Sequence, residues 1–588
     1  MAISQVKEFG KESSPERAVQ MTAAQAIVRY LEKKGVEMVF GIPGANILPF
    51  YDAVKESRQI RSFVVRHEQT GAFMADGYAR VTGKVGVCAA TSGPGGTNLL
   101  TGLYGAQVDS IPVLAFTGQV ATPLIGMDAF QEAPVTAMAE AATKKTYLVK
   151  DARQMPQIIR EAYRLATTGR KGPVLIDLPV DVQKMVIDVD PSIWEDEEPE
   201  VLPVPSETEI QRAVQLIKEA QRPVLLVGGG IVLAGAEAEL KELAELTGFP
   251  VVATLMGKDC FPADHPLHAG QMGTMCNTPL GNKTILESDL VIALGGRFGD
   301  RSTGKVSVFA AGKKIIHVNL DPREIGRSVP ADLGIAADVK AFIRMLILAI
   351  RAAAAGLAKD YRTDPRIKQL AEDRQRLARK TDFDQAPIKP QRAIAELREF
   401  LDRDAVVTHD CGISQIWATQ LFDAYEPRTF LITGRAGTMG WGLGAAMAAK
   451  LVRPKAQSVN IVGDGSLGMS LQDIATAVKF QIPVVIFLLN NSLLGLIRQQ
   501  QNWYYGERWI STDLGYQNGD HDRGIDFVQV AKAMGAQGER VERPEEIQPA
   551  LKRAFASGKP YLIEVLVDPA AVCSMSDDGT LTGVKETV

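Results

Sequence analysis

The chain has 588 residues, 46% of them hydrophobic and 23% charged, with a formal net charge of −4. That length calls for more than one core, roughly three to four domains by size alone, and the charge gives no reason to expect a nucleic acid or an acidic membrane as partner. No apolar run is long enough to span a bilayer, and five scattered cysteines (Cys88, Cys260, Cys276, Cys411, Cys573) show neither metal spacing nor a disulfide framework.

A cytoplasmic location fits that cysteine usage. Residues 1–19 lack an apolar h-region and read as a flexible lead-in, not a signal peptide. An acidic, proline-rich stretch at 188–205 and a charged helical stretch at 353–390 mark two joints. They leave domains expected over 20–187, 206–352 and 388–570. Short β-branched runs alternate with longer helical patterns in each: 85–90, 113–117 and 173–178 in the first; 223–227, 250–254, 290–294 and 314–318 in the second; 458–462 and 483–489 in the third. This alternation predicts an α/β fold of three successive doubly wound parallel-sheet domains.

In the first domain, Gly41-Ile42-Pro43-Gly44-Ala45-Asn46 and Thr91-Ser92-Gly93-Pro94-Gly95-Gly96-Thr97-Asn98 follow predicted strands. Such glycine-rich turns let backbone amides meet a ligand. Between them Glu68 opens a predicted helix, where a lone carboxylate is favoured simply by the helix dipole. In the second domain Val227-Gly228-Gly229-Gly230 follows a strand; a glycine triplet is often no more than a tight strand-to-helix turn. Further turns lie at 254–257, 294–301, 317–325 and 337–338. In the third domain the run at 458–462 stops at Gly463-Asp464-Gly465, and the run at 483–489 stops at Asn490-Asn491. An isolated Asp-Gly pair usually makes a turn. If the two runs are neighbouring parallel strands, however, Asp464 and the asparagines emerge at one carboxyl edge, where open α/β sheets bind ligands. A carboxylate plus an amide oxygen, with room for diphosphate oxygens and water, suits Mg²⁺.

Together these motifs resemble those of the thiamine-diphosphate-dependent carboligases, the family of glyoxylate carboligase and the acetolactate synthase large subunit, over almost the entire chain. The resemblance implies thiamine diphosphate, Mg²⁺ and a structural FAD. It assigns Mg²⁺ to Asp464, Asn491 and the carbonyl of Leu493, with Gly463, Gly465, Ser466, Leu494, Gly495 and Leu496 around the diphosphate. It makes Cys411, Gly412, Ile413 and Ser414 an anchoring turn, in which Ile413 and Ser414 replace the usual polar pair. Gly437 and Met439 would hold the cofactor bent, although a core methionine is the plain reading of Met439. Pro43, Gly44, Thr91, Pro94 and Asn98 would line the pyrimidine pocket. Glu68 would be the catalytic acid, sharing a proton with the aminopyrimidine near neutral pH, while the cofactor carries the carbon chemistry.

For the flavin, the resemblance implies Arg170, Gly228, Gly229, Gly230, Thr254, Leu255, Met256, Gly273, Gly295, Arg297, Asp300, Arg301, Asn319, Asp321 and Asp338. Asn319 stands where relatives carry an acidic residue that accepts from ribose hydroxyls. Phe130, Gln131 and Lys144 match the substrate entrance, Gln131 and Lys144 as catalytic partners of Glu68; Arg297 would serve flavin, substrate or both. An exposed lysine is the plain reading of Lys144. Gln500, in the run RQQQ, replaces the tryptophan with which acetolactate synthases contact the acceptor. A polar side chain there fits a small hydrated aldehyde acid, so the expected reaction joins two glyoxylates to tartronate semialdehyde and CO₂. Acetolactate formation from two pyruvates is the alternative, because Glu68 itself departs from the valine of characteristic glyoxylate carboligases. Residues after 568 would form a lid. Family precedent splits each active site between subunits, which implies a homodimer or homotetramer acting on small 2-oxo acids. A flavin-dependent 2-oxo acid oxidase shares the plan; a non-catalytic cofactor-binding protein would have lost Glu68, Asp464 or Asn491, and all three are present.

Overall fold

The computed structural model describes residues 18–195, 200–352, 360–515 and 524–586. The lead-in at 1–19 thus lies almost wholly outside the described residues, as do parts of both expected joints. Three six-stranded sheets follow one another along the chain, and every strand pair within them is parallel. Across the first sheet the strands run Arg61–Val64, Met38–Gly41, Gly86–Ala90, Val113–Gln119, Val174–Pro179 and Lys145–Leu148. Across the third they run Phe430–Ile432, Val406–His409, Ser458–Gly463, Val485–Asn490, Tyr561–Leu566 and Gln537–Val541. Numbered within its own domain, each has the order 2-1-3-4-6-5. The middle sheet instead runs His268–Gln271, Val251–Ala253, Pro223–Val227, Leu290–Leu294, Lys314–Asn319 and Leu333–Ala336, an order of 3-2-1-4-5-6.

Central strands such as Pro223–Val227 and Leu290–Leu294 are buried at every position. Helices cover both faces of such sheets, so the strands read as continuous apolar runs instead of alternating ones. Each sheet has a point where the winding reverses, and a crevice opens there at the carboxyl ends. In the first sheet it falls between Met38–Gly41 and Gly86–Ala90, in the third between Val406–His409 and Ser458–Gly463, and in the middle one between Pro223–Val227 and Leu290–Leu294. The glycine-rich turns of the sequence leave from those six strands.

The outer domains share a core within one chain. The helix Glu68–Thr82 lies against Trp441–Val452, so closely that a Cβ on Gly77 would sit 2.5 Å from the Ala445 Cα. Phe63 and Phe480 meet across the same junction with ring centroids 4.9 Å apart. The tail beyond residue 568 crosses from the third domain to the second: Trp417 Nε1 donates to the Val572 carbonyl (3.2 Å), and Ser576 N donates to that of Thr274 (2.7 Å).

Candidate active site

Strand register puts Gly463 opposite Leu489, so Asp464 and the asparagines do leave the sheet side by side. The two amides then diverge. Asn490 Nδ2 donates to Glu564 (2.7 Å) and its Oδ1 accepts from Ser492 N (2.9 Å), which commits it to the fold. Asn491 Oδ1 accepts from Leu493 N at 3.2 Å, and its buried Nδ2 has no partner among the described residues. Asp464 is 5% exposed, and burial, the largest influence, pushes its carboxyl up to about 7. A Cβ on Gly495 would lie 2.8 Å from Asn491 Nδ2 and 3.0 Å from Ile413; one on Gly465 would lie 2.7 Å from Leu494 and 3.8 Å from Met439. Gly437 approaches Cys411, and Gly463 approaches Ser414, each at 3.3 Å by the same measure. The segments 411–414, 437–439, 463–466 and 491–496 therefore converge. Among the described residues no cluster of three His, Cys, Asp or Glu side chains could hold a metal. A cation here would depend on one carboxylate, amide and carbonyl oxygens, and the ligand itself.

Sequence reasoning missed the brace on this loop. Leu494 N donates to the Thr512 carbonyl (2.8 Å) and Leu514 N to that of Ser492 (2.9 Å). No local pattern in 512–514 announces that contact.

At the first sheet, Asn98 Nδ2 donates to Glu68 Oε2 (2.9 Å), and Gly95 lies against the other carboxylate oxygen. Gly44 packs on Thr91, whose buried hydroxyl has no partner among the described residues, and Asn46 donates to Ser92 (2.7 Å). Gln131, with φ of 60°, backs onto Gly93, where a Cβ would lie 3.0 Å from its own. Gln119 sets that loop by donating to the Ala133 carbonyl (2.9 Å) and to Asp177 (3.0 Å). Asp177 also accepts from Thr117 (2.7 Å), and burial, outweighing these donors, pushes its carboxyl up to about 7. Pro43 and Pro94 are exposed, and Phe130 is 87% exposed at the loop tip.

Lys144 does not join this group within the chain. Its ammonium donates to the carbonyls of Leu165 and Thr168 at the end of the helix Met155–Thr167, beside Arg170. Burial lowers its pKa. Cations complement a helix C-terminus, and a single lysine in sequence carries no sign of that task.

A cleft of about 1250 Å³ opens at the middle sheet and extends to Cys411, Gly412, Gly437 and Leu496 of the third domain. Every residue expected to meet a flavin lines it except Gly273. A Cβ on Gly273 would lie 2.9 Å from the Arg301 carbonyl, so close packing explains that glycine. Packing also explains part of the triplet: Gly228 and Gly230 cross Gly295 with room for no Cβ, at 2.5 and 2.6 Å. Arg297 donates to the Val108 carbonyl (2.5 Å), and Arg170 bonds Ser110 (2.9 Å) and Glu324 (3.1 Å). Asn319 Oδ1 accepts from Asp321 N (3.0 Å) while its Nδ2 donates to Gly296 (2.8 Å). Asp338 caps the next helix by accepting from Ala341 N (2.8 Å). Gln500 is half-buried on the helix Gly495–Tyr505, next to Gln499, which exchanges bonds of 2.8 and 2.9 Å with the Cys573 backbone in the tail.

Residues 21–140, 210–346 and 410–565 match the N-terminal TPP-binding, central and C-terminal TPP-binding domains of thiamine pyrophosphate enzymes. A probable acetolactate synthase large subunit of Methanocaldococcus jannaschii is 42% identical over 97% of this chain and 96% of the relative. A glyoxylate carboligase of Escherichia coli O157:H7 is 39% identical over 93% of each, and an acetolactate synthase of Mycobacterium bovis is 42% identical over 93% of this chain and 88% of the relative. With three matching domains and relatives aligned nearly end to end, this chain belongs to the thiamine-diphosphate-dependent carboligases.

Proposed function

We propose that the enzyme condenses two glyoxylates to tartronate semialdehyde and CO₂. The observation that carries this reading is the half-buried amide of Gln500 on the helix after the Asp464 and Asn491 loops. A site built with hydrogen-bonding groups rejects a substrate that leaves them unpaired. The aldehyde acid, hydrated, bonds such an amide; the methyl group of pyruvate does not. Acetolactate formation is the second reading, favoured by Glu68 and by the names of relatives at 42% identity. Incubating the purified enzyme with each acid separately and identifying the product decides between them. Acetolactate as the sole good product reverses the order.

Thiamine diphosphate, when bound, would supply the carbon that takes up the 2-oxo acid and a cationic ring that draws in the electron pair left on the substrate carbon by CO₂. Glu68 would exchange a proton with the pyrimidine ring of the bound cofactor, and Asn98 holds its carboxyl by a hydrogen bond of 2.9 Å. Gln131 and Phe130 would line the substrate entrance, whereas the Lys144 ammonium is committed to the carbonyls of Leu165 and Thr168. Mg²⁺ fits the oxygens of Asp464, Asn491 and the Leu493 carbonyl, a hard-donor set that leaves positions for phosphate. The orphaned amide nitrogen of Asn491 supports a ligand at that loop. The middle cleft fits FAD in size, since its volume exceeds the roughly 300–1,000 Å³ of ordinary ligand pockets. Sharing of each site between two copies is supported by apolar side chains left exposed near both outer crevices: Met127 (70%) and Phe130 (87%) on one, Met469 (54%), Trp509 (50%) and Ile510 (73%) on the other. Exposed apolar surface of this kind marks association. The five free cysteines fit a cytoplasmic setting.

A further inference from the structure

We propose that Asp109 and Asp410 are positioning residues for the cofactor, two buried carboxylates that pin opposite ends of the loop bearing Met439. The inference deepens the reading of Met439 as a cofactor contact and rests on it. The loop runs from Thr433, after the strand Phe430–Ile432, to Gly440, before the helix Trp441–Val452.

At its first end Asp109, which arrives from the N-terminal domain, accepts from Gly434 N (2.8 Å) and Arg435 N (3.0 Å). Arg80 fixes this carboxylate at 3.0 Å and also donates to the Ile432 carbonyl (2.9 Å). At the far end Asp410, fully buried, accepts from Gly442 N and from Ser466 Oγ (3.0 Å). Ser466 Oγ in turn accepts from Gly440 N (3.0 Å). Two more bonds close the frame: Thr438 N donates to Thr433 Oγ1 (3.1 Å), and Cys411 N to the Thr438 carbonyl (3.3 Å).

Asp410 thereby ties together the start of the anchoring turn, the residue after Gly463-Asp464-Gly465 and the end of the Met439 loop. Ionised acceptors make the stronger hydrogen bonds, and a loop held by its backbone on both sides keeps its central side chain in one place. Asp109 extends that control to the other outer domain, whose helix Leu100–Asp109 carries it.

The test is a thiamine-diphosphate titration of full-length protein in excess Mg²⁺, read by tryptophan fluorescence, since Trp441 borders the loop. Asp109→Asn and Asp410→Asn should each raise the dissociation constant about tenfold, and Thr433→Val, which unties Thr438 N, about threefold. Asp259→Asn is the control. Asp259 is also buried and accepts from Thr429 N and Phe430 N (3.1 Å each), before the same strand, but does not touch the loop. It should lower the melting temperature and leave the constant unchanged. Folded variants at 109 and 410 with wild-type affinity overturn the proposal, as does an equal rise in the control. Should both aspartate variants fail to fold, Thr433→Val decides alone: a threefold rise supports the proposal and none overturns it. A wild-type protein that takes up no thiamine diphosphate overturns the cofactor reading itself.

Discussion

Glu68 begins a helix and, among the described residues, has one side-chain hydrogen-bond partner, Asn98, which makes its substitution clean. Glu68→Gln preserves size and removes the shared proton. Turnover should fall by about 100-fold or more while thiamine-diphosphate affinity stays within a few-fold; steady-state rates beside a binding titration check this, and unchanged turnover would remove the role. Asp177 offers a pH signature. Its carboxyl rises from the ordinary 3.8 to about 7 on burial, so between those values the folded chain holds a proton that the unfolded chain has released. Its contribution to stability is therefore full below the lower value and lost as pH rises through the upper one. Asp177→Asn should flatten the fall in unfolding free energy over that window by about 1 kcal/mol per pH unit, measured by urea melts. At this scale the residues alone marked the asparagine doublet, and only the family resemblance singled out Asn491 within it. The physical reason lies out of reach of local sequence: Asn490 is committed to Glu564, 74 positions away.

The helix Glu68–Thr82 shows what an element adds. Glycine inside a helix costs about 1 kcal/mol relative to alanine, and Gly77 lies there because Ala445 leaves no room for a side chain. Gly77→Val should destabilise the protein by about 1–3 kcal/mol through overpacking, seen as a lower calorimetric melting temperature, and Gly83→Ala, with its neighbour at 3.4 Å, would not act by that route. Central strands of the middle sheet were legible because both faces are buried, and their ends could be read from the glycines that follow; Val406–His409 and Tyr561–Leu566, interior and as fully buried in the third sheet, went unread. Edge strands were not: Lys145–Leu148 has no fully buried residue, and Gln537–Val541 interleaves exposed and buried ones. The braces at Thr512 and Cys573 were equally hidden, since each joins segments that have no shared pattern in sequence.

For the whole molecule, the sharing of sites between copies has a direct test. Glu68→Gln and Asp464→Ala chains, each inactive alone, should regain up to about half the activity per hybrid dimer when co-expressed. One site in each hybrid then receives Glu68 from one copy and Asp464 from the other. Purified hybrids no more active than either parent would place both residues of a site in the same chain. The three-domain plan was readable from alternation alone, but the partition of labour was not, because a sheet's strand order leaves no mark on its composition.

That the outer sheets repeat one strand order while the middle one differs has a consequence for redesign. On the roles proposed for Glu68 and Asp464, proton handling and phosphate grip are two trades practised on one chassis, distinguished by the turns that leave strand 2 of the first sheet and strands 3 and 4 of the third. Transplanting those turns between the chassis should carry the trade with them, whereas exchanging the strands beneath should carry nothing.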